Sequence, residues 1–148
     1  MKFSNSNRIL IEYPSVVQEK ILNSESWHKI LTLMTVIILI DKRVYKEEVD
    51  MFVESVNQLN SQISPDMFIT EKMAFDWFVS NRDDVKKSLM DPDHQKNIDR
   101  LISSLKHIVG KQHILKALKA IALADSDLHK AEISIIESVS RIWGLKAA

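Results

Sequence analysis

The reading turns on "IALADSDLHKAEISII", Ile121–Ile136, and on an upstream stretch of nearly the same layout, "VIILIDKRVYKEEVDMF", Val36–Phe52. Each reads as an apolar helix, a short acidic turn, then a second amphipathic helix. Setting Asp41 on Asp125 lays the chain over itself without gaps. Ile30 then meets Ile114, Leu31 meets Leu115, Ile37 meets Ile121 and Leu39 meets Leu123. Helical periodicity alone aligns apolar residues. It does not so readily align Lys46 with Lys130 and Glu48 with Glu132. We therefore expect a duplicated helix–turn–helix, with copies over about 27–59 and 111–145 and a helical insert over 60–110, the two copies facing each other across one core.

Working outward, apolar spacing predicts a short helix over "PSVVQEKIL" and a long one over "SESWHKILTLMTVIILI" that begins at Ser24 or Ser26. "KEEVDMFVESVNQLN" carries Val49, Phe52, Val53, Val56 and Leu59 on one face. "TEKMAFDWFVSN" follows, begun by Thr70, and "RDDVKKSLMD" reads as another short helix. The stripe Ile98, Leu101, Ile102, Leu105 and Ile108 makes a further helix that Gly110 closes, and Gly144 is a stop for the last one. No segment alternates as a strand. The expectation is an all-α fold of seven or eight helices in a single domain over 1–148.

Composition narrows the function. With 148 residues the chain can bury a core without staples. It has no cysteine, which removes disulfides, thiolate catalysis and Cys-ligated metal. Twenty basic residues balance twenty acidic ones and no basic block appears, so nucleic acid is not an expected partner. Two glycines cannot build a phosphate-cradling loop. The apolar run Ile30–Ile40 is about half of the ~20 residues that a bilayer requires, so it reads as a buried helix and no transmembrane segment is expected. The first residues do not read as a signal peptide, and a cytoplasmic protein is the expectation.

The chemistry, if any, lies in the two turns. Asp41 and Asp125 stand where a helix ends, among free carbonyls and the negative end of the dipole, an unfavourable place for a carboxylate. A bound cation that meets carboxylate and carbonyl oxygens would account for them, and so would an Asx turn. Glu48 and Glu132 fall in the first turn of the next helix and can supply half of a capping box, whose usual Ser or Thr is replaced by Tyr45 and His129. Val44 and Leu128 read as plugs that pin the turns to the core. The second turn adds Asp127 where the first has Arg43, which makes Asp125, Asp127 and Glu132 the better cation site. An EF-hand loop runs about twelve residues with a glycine at its bend, so this turn is not one. His129 could join a transition-metal site with Asp125, although a solvent-facing histidine at a helix start is the commoner case. Metal-activated water at Asp125, Asp127 and His129 would be the enzymatic reading. No general base or nucleophile context accompanies it, and no enzyme is expected.

"ALKAIALADSDLHKAEISIIESVSRIWGL" resembles the TerB-like family of tellurite-resistance proteins, also found as a domain of some J-domain co-chaperones. Ala124, Asp125, Leu128, Glu132, Gly144 and Leu145 match its pattern A-D-G-x-[IV]-x-x-x-E and the apolar helix after it. Ser126 and Lys42 stand where the family has glycine. The resemblance spans about 27–145. It implies an internally duplicated, cytoplasmic, all-α interaction domain tied to stress from toxic oxyanions and metals. It also implies divalent-cation binding (calcium, magnesium, manganese or zinc) through Asp41, Glu48, Asp125 and Glu132, with Asp127 a local addition, and protein partners that are membrane-associated. The competing expectation is a metal-free interaction or homodimerisation domain, docking through the aromatic segment "TEKMAFDWFVSN". Without a thiol, reduction of tellurite is not expected of it.

Overall fold

The computed structural model describes residues 24–41, 46–63, 69–124 and 129–145. The expected helix over "PSVVQEKIL", and Val44, Asp125, Asp127 and Leu128, lie outside them. Among the described residues there are six helices and no strand: α1 (Ser24–Leu39), α2 (Lys46–Ile63), α3 (Glu71–Leu89), α4 (His94–Ser104), α5 (Lys111–Leu123) and α6 (Lys130–Trp143). No helix there is long and apolar enough to cross a membrane.

The apolar run reads as expected. Trp27, Ile30, Leu31, Leu33, Met34 and every residue from Val36 to Leu39 are buried, so α1 is apolar nearly all round because it is covered nearly all round. Helices α2, α3, α4 and α5 pack against it, and α2 lies along α5. The buried polar Thr35 is satisfied within this helix, its Oγ1 donating to the Leu31 carbonyl at 2.8 Å. Each such fully buried aliphatic side chain contributes about 1.5–3 kcal/mol relative to exposure.

Thr70 caps α3 as expected, its side chain accepting from the Met73 N–H at 3.0 Å. The helix then runs on through "RDDVKKSLMD", which is not a separate element. No Gly or Pro interrupts it, and the buried stripe Ala74, Trp77, Phe78 and Val85 continues across the expected break. It stops before Asp91-Pro92, where Asp91 Oδ1 accepts from the Asp93 N–H at 2.8 Å. The aromatic segment is therefore mainly core rather than a docking surface: Trp77 and Phe78 are buried, and Phe75 faces outward.

Helix α4 ends at Ser104, short of Gly110. Its last turn tightens into i→i+3 bonds from the Leu105, Lys106 and Ile108 N–H groups, and Ser104 Oγ donates to the Leu101 carbonyl. Gly110, at φ 73°, instead opens α5. Gly144, at φ 70°, ends α6 as expected. The Leu145 N–H reaches the Ser140 carbonyl and the Gly144 N–H reaches Arg141, which is a Schellman closure. Buried Asn60 of α2 clamps the chain entering α3: its Oδ1 accepts the Ile69 N–H at 3.1 Å and its Nδ2 donates to the Ile69 carbonyl.

Candidate metal centre between the two turns

Asp41 follows α1, whose last turn holds no basic residue to offset the carbonyl end. Glu48 lies in the first turn of α2, His129 is the N-cap of α6, and Glu132 lies in the first turn of α6. The sequence suggested two separate turns, the second of them the better cation site. The structure instead brings Asp41 and Glu48 of the first turn against His129 and Glu132 of the second. One ligand atom each from Asp41, His129 and Glu132 lies within 4.8 Å of the others.

Burial gives the cluster its character. Glu48 and Glu132 are 0% exposed, and the Asp41 side chain is 8% exposed. Glu132 Oε1 accepts the His129 backbone N–H at 3.1 Å, so half of the capping box is present. Capping occupies that one oxygen. Oε2 is sealed from solvent and meets no N–H or O–H donor, and the Glu48 carboxyl stands within hydrogen-bonding reach of Glu132. Burial pushes the Glu132 carboxyl above the usual carboxylate range. The Glu48 bond and the His129 backbone bond pull it back, Asp41 adds repulsion, and the His129 ring eases it. Two carboxylates in contact away from water stay ionised together only with a cation between them; otherwise they share a proton.

His129 is not the solvent-facing residue that the sequence favoured. Its Nε2 lies 3.1 Å from Asp41 Oδ2, and its side chain is 22% exposed. Sequence reasoning paired it with Asp125, its near neighbour, rather than with the Asp of the other turn. The expectation that the two helix–turn–helix stretches face each other hinted at this pairing, since the N-cap of one turn would then approach the Asp of the other, but it did not name the partner. The remaining histidines form no second cluster among the described residues. His28 accepts the Trp77 indole N–H at 3.3 Å, and His94 Nδ1 contacts the Asp91 carbonyl at 2.9 Å.

The fold and this cluster define an all-helical module whose acidic turns converge at a buried carboxylate–imidazole centre. A family model described as tellurite resistance protein TerB matches residues 28–148. The chain belongs to the TerB family. Comparison with curated proteins and with solved structures returns no match.

Proposed function

We propose that this chain is a non-enzymatic TerB module that holds a divalent cation between its two helix–helix turns and acts in the cell's response to tellurite, metal or envelope stress through protein partners at the membrane. The carboxylates of Asp41, Glu48 and Glu132 are the oxygen ligands. One observation carries the reading: Glu48 and Glu132, from different turns, are fully buried against each other. A cation relieves that repulsion by drawing both carboxylates, as hard oxygen ligands, onto one positive charge. The two helix pairs, α1–α2 and α5–α6, are in this reading copies of one ancestral unit, each supplying its Asp or Glu to a shared centre.

Thermal unfolding with calcium, magnesium, manganese and zinc, on the wild type and on Asp41→Asn/Glu132→Gln, tests it. A cation at ~100 times its Kd stabilises the wild type by about 2.7 kcal/mol and leaves the double variant unmoved. If none of the four ions stabilises the wild type, the reading fails.

The second reading, a metal-free interaction domain, draws on Phe75 and Val79, each 47% exposed one turn apart on α3.

A further inference from the structure

We propose that His129 is itself a ligand, and that its imidazole makes this centre one for a transition-type ion of the zinc and cobalt class rather than for calcium or magnesium. The inference rests on the cation reading above and names the ion class. Its first support is placement. His129 Nε2 lies 3.1 Å from Asp41 Oδ2, and it offers a ligand atom within 4.8 Å of those of both Asp41 and Glu132. Ligand atoms around a small tetrahedral ion with bonds of about 2.0–2.2 Å lie about 3.4 Å apart, close to the 3.1 Å between His129 Nε2 and Asp41 Oδ2.

The second support is the kind and number of donors. Calcium takes about six to eight oxygens, many of them carbonyls from a long loop, and magnesium keeps most of its water. Here two carboxyl groups and one imidazole converge within 4.8 Å, with the Glu48 carboxyl against Glu132 beside them, so the donor set holds a nitrogen. Imidazole suits zinc, nickel, copper and iron, whereas sites of carboxylate, carbonyl and water suit magnesium, calcium and manganese.

The third support is position. Helix N-caps favour Ser, Thr, Asp and Asn, and this chain places a histidine there. At 22% exposure its ring stands at the mouth of the cluster, with the fully buried glutamates behind it. An ion arriving from water meets His129 and Asp41 before it meets Glu48 and Glu132.

Isothermal titration of the full chain with Zn²⁺, Co²⁺, Mg²⁺ and Ca²⁺ tests the proposal, with the visible absorption of bound Co²⁺ as a second readout. The variants are His129→Asn, which places a favoured N-cap residue there, and Asp41→Asn/Glu132→Gln. Melting of each variant without metal checks that it folds. The wild type binds Zn²⁺ and Co²⁺ about 100-fold tighter than Ca²⁺ or Mg²⁺. His129→Asn weakens Zn²⁺ and Co²⁺ by about 10–100-fold, alters the Co²⁺ spectrum, and changes Mg²⁺ and Ca²⁺ affinity by less than about threefold. If His129→Asn keeps its Zn²⁺ affinity while the double variant loses it, His129 is not a ligand and the cation reading stands. Tighter binding of Ca²⁺ or Mg²⁺ than of Zn²⁺ overturns the ion class and leaves the cation reading in place. No binding of any ion overturns both.

Discussion

His28 ties α1 to α3 through one hydrogen bond, and that bond depends on a bare ring nitrogen. The Trp77 indole donates to Nδ1 at 3.3 Å, with the rings edge to face at 5.4 Å. Burial holds the His28 pKa below its ordinary 6.5, while neighbouring Lys29 is paired with Glu25 on the same helix. A histidine whose folded pKa is lowered contributes stability that is present above the unfolded value and lost as pH falls through the folded one. Urea unfolding from about pH 7.5 down to about pH 5 should therefore show the wild type losing a few tenths of a kcal/mol, a small loss because the residue is exposed, relative to His28→Asn, whose side-chain oxygen accepts the indole N–H at every pH. A parallel pH dependence of the two proteins would remove this role. At Gly144 a Cβ would meet nothing within 4 Å, so the cost of Gly144→Ala lies in the left-handed backbone. About 1–2 kcal/mol in chemical denaturation is expected. Gly144 was legible from its place after an apolar stripe. Asp41, Glu48 and Glu132 were legible because the turn occurs twice at one spacing. The partnerships of His28 and His129 were not, since both join residues far apart in the chain, and local pattern carries no record of which helices meet.

Among the elements, α3 was the least well anticipated. Asn81 and Asp83-Asp84 look like a break, yet Asn81 Nδ2 donates to the Trp77 carbonyl at 2.8 Å and the helix continues beneath it. The end of α4 was missed for a related reason. Leu105 and Ile108 keep the apolar spacing of a helix but reach the core through tighter turns, which periodicity does not distinguish. The entrance to α3 depends on Asn60. Asn60→Ala would leave the Ile69 N–H and carbonyl buried without their side-chain partner, and a loss of about 2–4 kcal/mol is expected in equilibrium unfolding. The outer side of α3 separates the two functional readings. Phe75→Ser/Val79→Ser should leave thermal stability within about 0.5 kcal/mol of wild type, since both residues are already half exposed. If the double change also abolishes self-association or capture of a partner, the interaction reading gains the surface it lacks. Trp77→Ala would be a poor probe of that reading, because Trp77 lies in the core and its loss would unsettle the fold.

Over the whole molecule, the all-α class followed from composition, helical periodicity and the absence of strand alternation. The burial of α1 followed from an apolar run too short for a bilayer. What the sequence did not disclose is that both acidic turns arrive at one place. The convergence is a property of how α1–α2 and α5–α6 pack, with α2 laid along α5 and α1 against α5. A cation held there should tie the two helix pairs together. Hydrogen exchange at saturating metal should slow in α1–α2 and in α5–α6 alike, and slowing confined to one pair would argue against a shared centre.

Glu48 lies in the first half of the chain and meets Glu132 near its end. On the ribosome, a growing chain cannot complete the centre until α6 has emerged and docked. Until then no second glutamate stands against Glu48. A product cut short before Asp125 would carry most of the apolar core and none of the second turn. The acidic centre is thus a mark that both helix pairs have been made and have docked, and it is absent from any fragment that stops before α6.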